Sequence, residues 1–273
     1  MALFMTLMVR NEEDILESHL RYHLEHGVDH VILTNNLSMD GTADIIDNFV
    51  KQGVATYIYE PDNTFKQSRW VTQMAEMARV KGANWVLNSD VDEFWVTANR
   101  KSLRQWFRQQ KLFNVISARR HDFICVESDS IPFWRRMVYR KVHSTNSLGA
   151  PLPPKVAHRA AHGLTVGTGN HSVSGFRWQR RKSLGLEILH FPLRSREQYT
   201  RKIEVGGRAL INNTELSQSV GLTWRQQYTE LQTTGQLAYI KENIVSPGAL
   251  KQMLADGTVV EDRRLTEFFK SEG

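Results

Sequence analysis

The sequence is short of several things. In 273 residues it has one cysteine, seven prolines and no long apolar run. With Cys125 as the single thiol, no intrachain disulfide can form, and a reducing compartment is the expected setting. No stretch reaches the roughly 20 apolar residues that a membrane-crossing helix needs. Met1 to Val9 is apolar but short, lacks a basic leading region and runs straight into a helical pattern. It reads as a first strand rather than a signal peptide. A cytoplasmic protein is expected, with the inner face of a membrane as a further location and peripheral membrane contact near Trp224 and Arg225.

Acid is missing from the middle of the chain. Residues 131–186 contain no Asp or Glu but ten of the 35 Lys and Arg, among them Arg140, Lys155, Arg159 and Lys182. Elsewhere 25 basic residues face 29 acidic ones, so this stretch sets the sign of the +6 net charge. Such asymmetry points to an anionic partner: a pyrophosphate, an acidic glycan, an anionic membrane surface or nucleic acid. Phe133, Trp134, Tyr139, Phe176 and Trp178 lie among the cations and suit stacking on sugars or bases. A solvated basic face is the plainer alternative.

What is present is a core. Apolar residues make up 41% of the chain, enough for one sizeable domain, alone or with a small appendage. Leu3 to Val9 is a strand pattern, and Asn11 is placed to cap a helix whose buried face is Ile15, Leu16, Leu20 and Leu24. His30 to Thr34 is a second strand, Ala43 to Gln52 a helix, Val54 to Tyr59 a third strand, Phe65 to Lys81 a helix and Ala83 to Leu87 a fourth strand. This β-α-β-α-β-α-β order predicts an α/β fold with a mostly parallel, Rossmann-like central sheet flanked by helices. Helices are expected over 195–210, 217–242, 248–254 and 264–270, giving a helical C-terminal part. The expected division is a catalytic domain over 1–195 and a helical extension over 196–273.

The fourth strand ends in Asn88-Ser89-Asp90-Val91-Asp92-Glu93. In a strand, residues two apart point the same way, so Asp90 and Asp92 are expected to face one point past the strand end. Two carboxylates converging beside apolar walls need a positive charge between them, and a hard divalent cation is the natural occupant. The alternative is that they cap a turn or a helix. Ligands of parallel α/β sheets bind past the carboxyl ends of the strands. Arg10-Asn11, Asn35-Asn36 and Asp90-Asp92 all fall at such ends.

Val9-Arg10-Asn11-Glu12, Gly27-Val28-Asp29-His30, Asn36 to Thr42 and Trp85 to Trp95, in that order, resemble the family 2 glycosyltransferases of the GT-A fold, in particular a bacterial subgroup with a D-x-D-E-F-W motif. Weaker similarity continues in Leu189 to Ser195 with Lys202, and in Gly257 to Leu265. The resemblance implies a GT-A fold and a metal-dependent, inverting transfer of a sugar from a nucleotide-diphosphate donor, UDP-linked, to a glycan or lipid-linked acceptor. It implies Mn²⁺ or Mg²⁺ as cofactor, polysaccharide biosynthesis as the setting, and no nucleic-acid partner.

Residue by residue, the resemblance puts Asp92 on the metal and Asp90 on the ribose or a metal-bound water. It puts His190 on the metal, with His171 as the rival because its neighbouring glycines allow close backbone approach. Arg194, Lys202 and Lys155 are the candidates for phosphate oxygens, and Arg10, Asn11 and Asn35 for framing the nucleoside. Asn35 stands where the family often carries an acid. Family members usually place a Glu-Asp pair after the D-x-D as the base, and here the only late pair is Glu261-Asp262. The candidates for the base are therefore Asp122 first, then Glu127 and Asp129, with Glu93 and His121 behind them.

His19, His23 and His26 share a helix face at a spacing that suits zinc, but that face turns to core or solvent and is read as structural. Two other readings stay open. One is a D-x-D-dependent nucleotidyl or phosphoryl transferase. The other is a basic, non-enzymatic module for nucleic acid or acidic polysaccharide.

Overall fold

A computed structural model describes residues 1–98, 101–126, 131–145, 149–183 and 185–270. In chain order these form β1 (Leu3–Val9), α1 (Leu16–Glu25), β2 (His30–Asn35), α2 (Thr42–Lys51), β3 (Ala55–Tyr59), α3 (Gln67–Val80), β4 (Trp85–Asp90), β5 (Glu93–Thr97), α4 (Leu103–Arg108) and β6 (Val115–Asp122). Next come β7 (Cys125–Val126), α5 (Phe133–Arg136), β8 (Tyr139–Lys141), β9 (Lys155–Arg159), β10 (Thr165–Val166), a 3-10 turn (Thr168–Asn170), β11 (Val173–Ser174), β12 (Arg181–Lys182) and β13 (Leu186–His190). The chain ends with α6 (Arg196–Asn212), α7 (Leu222–Thr234), α8 (Ala238–Asn243), β14 (Ile244–Val245), α9 (Pro247–Ala255), β15 (Val259–Glu261) and α10 (Arg264–Lys270).

These elements fall into two compact units. The first holds Met1–Arg120 and Pro153–Ile188, the second His121–Leu152 and Leu189–Gly273. The fold is mixed α/β, with a large central sheet flanked by helices. Among the described residues the sheet has nine strands in the order β3-β2-β1-β4-β9-β6-β13-β5, with β12 beside β6.

In the first unit, β3, β2, β1 and β4 run parallel, as the helical crossovers between them require. The strand β9 is antiparallel to both β4 and β6. Register sets the rim: Val9 of β1 lies opposite Asn35 of β2, and Met8 opposite Asp90 of β4. The polar residues that follow these strands therefore gather at one edge.

Helix α3 buries Val71, Met74, Ala75 and Ala78 against Phe4, Ile32 and Val86 of the sheet. Helix α1 brings His19, Tyr22 and His23 against Phe94 of β5. Both histidines are fully buried, and burial holds His19 down to about 3 and His23 well below its ordinary value. The His23 Nδ1–H donates to the His19 carbonyl, and its Nε2 accepts from the Trp95 N–H. These are core histidines.

The second unit packs Ile124, Val245 and Val259 into its own cluster with Tyr139, Leu250 and Met253. Two small ladders lie within it, β14 with β7 and β15 with β8. The helix expected over 217–242 is two helices, because Gly235 takes a left-handed φ of 68° and ends the first of them.

Candidate active site

The rim at the ends of β1, β2 and β4 starts with Arg10. Its Nη1 donates to Asn36 Oδ1 (3.3 Å) and Asn63 Oδ1 (2.8 Å), while its Nε is buried without a hydrogen-bond partner. Burial lowers the guanidinium pKa. Asn36 is itself fixed by donating to the Glu60 and Asp62 carbonyls. Arg10 is thus a held cation with a donor to spare.

Asn11 does not cap α1. It has a left-handed φ of 53°, its N–H donates to Ser38 Oγ, and its Oδ1 accepts from the Met39 N–H. This ties the β1–α1 loop to the β2–α2 turn. Asn35 is buried, with Nδ2 donating to Tyr57 Oη and Oδ1 accepting from the Ser38 N–H. Both ends of its amide thus hold the turn in shape, which fixes the side chain at the rim.

The D-x-D segment departs from the strand geometry assumed for it. The strand β4 runs on to Asp90, the next two residues turn, and β5 begins at Glu93. Two-residue alternation therefore does not carry through to Asp92. The Asp90 side chain is about one-third exposed (35%), whereas Asp92 is buried at 3%.

Asp90 is surrounded by N–H donors. Its Oδ1 accepts from Gln67 Nε2 (3.3 Å) and Asn170 Nδ2 (3.1 Å), and its Oδ2 accepts from Lys155 Nζ. Lys155, the first residue of β9, also lies 3.2 Å from Glu93 Oε1. Arg120 reaches the same oxygen at 3.6 Å. Glu93 is fully buried, so it serves this ion-pair network and offers no face to an acceptor hydroxyl.

The 3-10 turn beyond β10 supplies the rest of this wall. Gln67 Oε1 accepts from the Gly169 N–H (2.8 Å), and Asn170 has a left-handed φ of 60° that aims its amide at Asp90. Asn170 Oδ1 is buried without a hydrogen-bond partner. His171 Nδ1 donates to the Pro154 carbonyl (2.9 Å), which leaves Nε2 with the lone pair. Burial, then the nearby Lys155 charge, hold His171 down to about 4.

A divalent ion needs converging oxygen or imidazole ligands. Among the described residues, no three His, Cys, Asp or Glu side chains converge in that way. Three N–H groups already take up the Asp90 carboxylate. The donor set around Asp90 therefore does not fit a resident metal.

In the second unit, His190 Nδ1 donates to Asp122 Oδ1 over 2.6 Å. The Asp122 N–H donates to Ser144 Oγ. Arg140 lies 3.4 Å from His121 Nδ1, and its Nε donates to Asp262 Oδ2. Asp262 also takes Arg264 and so belongs to a structural ion-pair cluster, while the exposed Glu261 pairs with Arg263. Arg194 is buried, with Nη1 donating to the Phe191 carbonyl, which makes it an internal strut rather than an open phosphate ligand. Lys202 Nζ lies 5.8 Å over the Trp224 ring. Glu127 and Asp129 lie outside the described residues.

Part of the basic middle stretch is spent on partners within the protein, while Arg135, Arg177, Arg180 and Arg181 stay exposed. Lys155 pairs with Asp90 and Glu93, and Arg140 with Asp262. Arg159 stacks on Trp85, Lys182 sits over Trp106, and Arg136 donates to the Val126 and Arg194 carbonyls. A linear count of charge does not reveal such partners. Lys155, Gln67 and Asn170 as ligands of Asp90, and Asn63 as a ligand of Arg10, were not legible in the sequence. The one local cue was the glycine-rich run Gly167–Asn170.

No helix among the described residues is long and apolar enough to cross a membrane. No curated protein sequence matches the chain. Solved structures with a similar course of the chain include Staphylococcus aureus TarS residues 1–349 in complex with UDP-GlcNAc. It is 12% identical, with a TM-score of 0.48, over 85% of this chain and 73% of that one. The same protein in complex with UDP scores 0.46. Glucosyl-3-phosphoglycerate synthase from Mycobacterium tuberculosis, with Mn²⁺, UDP and glucosyl-3-phosphoglycerate, is 16% identical over 44% of each chain, with a TM-score of 0.31. The likeness is distant in each case. The model of glycosyltransferase family 92 matches residues 5–203. The likeness to family 2 read from the motifs thus holds at the level of the enzyme class, and the protein is a glycosyltransferase that belongs to family 92.

Proposed function

We propose that the protein moves a sugar from a nucleoside-diphosphate donor, UDP-linked, to a hydroxyl of a glycan or lipid-linked acceptor. The observation that carries this reading is the rim of the first unit. There the parallel strands β1, β2 and β4 end side by side, with Arg10 held after β1 and Asp90 closing β4. Ligands of such sheets bind at that edge. Family membership supplies the reaction class.

In the reaction the acceptor oxygen bonds to the anomeric carbon, the bond from that carbon to the diphosphate oxygen breaks, and the acceptor proton passes to a base. Arg10, with a buried Nε donor to spare, takes the nucleotide end of the donor. Asp90 accepts hydrogen bonds from the ribose hydroxyls at its exposed side. Charge growing on the leaving diphosphate needs cationic groups placed in advance. The proton acceptor is assigned to the Asp122–His190 pair, in which His190 Nδ1 donates to Asp122 Oδ1. Inversion at the anomeric carbon is what the family 2 resemblance implies. The groups that hydrogen-bond to Asp90 are N–H donors, which leaves that carboxylate to the ribose rather than to a divalent ion.

Thermal unfolding with UDP, GDP, CDP and ADP, each with and without Mn²⁺, tests the donor site. A ligand that binds only the folded chain raises the midpoint by mass action. A rise with UDP, at an affinity that Arg10→Ala lowers about 10-fold or more, is the expected result, from the loss of a charged hydrogen bond. No rise with any of the four diphosphates contradicts the reading.

A further inference from the structure

The geometry points to Lys155 as the tethered cation of the D-x-D turn: its ammonium occupies the electrostatic place between Asp90 and Glu93 that a divalent ion would otherwise fill. Glu93 is fully buried and Lys155 is exposed by 1%. Neither charge is tolerated at that depth alone, since an unpaired buried ion gives up its charge or is compensated. Here the compensation is reciprocal. Lys155 bonds to Asp90 Oδ2 and lies 3.2 Å from Glu93 Oε1, so one ammonium bridges the last residue of β4 and the first of β5. That is the bridging position of a metal between two carboxylates.

The placement is built into the sheet. The strands β9 and β4 are antiparallel, with Arg159 opposite Trp85 and Ala157 opposite Leu87. Continuing that register brings Lys155 level with the final residues of β4. The amine is thus carried on a rigid strand rather than on a loop. Arg120 adds a second positive charge at 3.6 Å from the same Glu93 oxygen. The other Asp90 oxygen accepts from the Gln67 and Asn170 amides.

Two consequences follow. The D-x-D turn holds its shape in the absence of Mn²⁺ or Mg²⁺. Removing the amine while keeping its length should also open a cation site, with Asp90 and Glu93 as charged ligands and Asn170 Oδ1, a buried oxygen with no hydrogen-bond partner, beside them. A lysine with a purely packing role gives no such gain.

The test compares the EDTA-treated full chain, wild type and Lys155→Met, by thermal unfolding across a Mn²⁺ titration. The wild-type midpoint should stay flat. The variant should unfold earlier in EDTA and recover by roughly 5 °C as Mn²⁺ saturates it. Asp90→Asn in the Lys155→Met background should abolish that recovery. A wild-type midpoint that rises with Mn²⁺ and loses the rise in Asp90→Asn overturns the inference. So does a Lys155→Met chain that folds but shows no response to Mn²⁺. Should Lys155→Met fail to fold, calorimetric titration of the wild type with Mn²⁺ decides: no binding supports the inference, and binding that Asp90→Asn removes overturns it. No nucleotide enters these measurements, so their outcome is separate from that of the donor reading.

Discussion

His190 and Asp122 are hydrogen-bonded to each other, His190 Nδ1 donating to Asp122 Oδ1 over 2.6 Å. From the sequence they stood for different roles, one as a metal ligand and the other as the base. The carboxylate orients the imidazole, and the two side chains together form one candidate unit for proton transfer.

Asp122→Asn should keep the fold and lower the rate of sugar transfer by about 10²- to 10⁴-fold, the usual weight of a general base. The loss should appear in kcat rather than in donor KM. An unchanged kcat removes the pair from proton transfer.

Stability should fall with acid. His19 and His158 have an ordinary pKa of 6.5, and burial holds them at about 3 and about 4 in the fold. Between those values and 6.5 the unfolded chain binds more protons than the folded one, so lowering the pH favours unfolding. The unfolding midpoint should drop progressively from pH 7 to pH 4. His158→Gln should flatten part of that slope, and an identical slope in the variant contradicts the assignment.

Gly206 and Gly207 let α6 and α7 approach closely. A Cβ on Gly206 would come within 2.2 Å of the Trp224 ring, and one on Gly207 within 2.5 Å of Tyr228. Glycine to alanine inside a helix normally gains about 0.5–1 kcal/mol. Here overpacking should reverse the sign, and Gly206→Ala should cost about 1–3 kcal/mol by denaturant unfolding. A stabilised variant would mean the two helices can part without penalty.

The parallel part of the fold was legible because its signals are local. Apolar runs such as Leu3–Val9 and Trp85–Leu87 alternate with amphipathic helices, and the crossover rule then orders the strands. The rim followed, since Arg10, Asn36 and Asp90 sit directly after those runs. What the sequence hid is non-local. Lys155 and Asp90 are 65 positions apart, and nothing near either names the other. The strand ends at Asp90, so the alternation assumed for Asp90 and Asp92 stops there. Asn35 and Arg194 look like ligand-binding groups until their internal partners are seen. The short ladders of the second unit, only two or three residues long, lack any periodic signature.

The most direct test of the account is release of UDP when the purified protein meets UDP-sugars, with and without a saccharide acceptor. The account predicts acceptor-stimulated release of UDP that falls at least 10-fold in Arg10→Ala. Failure to release a nucleoside diphosphate from any UDP-, GDP- or CDP-sugar, in a protein that is folded by its unfolding transition, would contradict it.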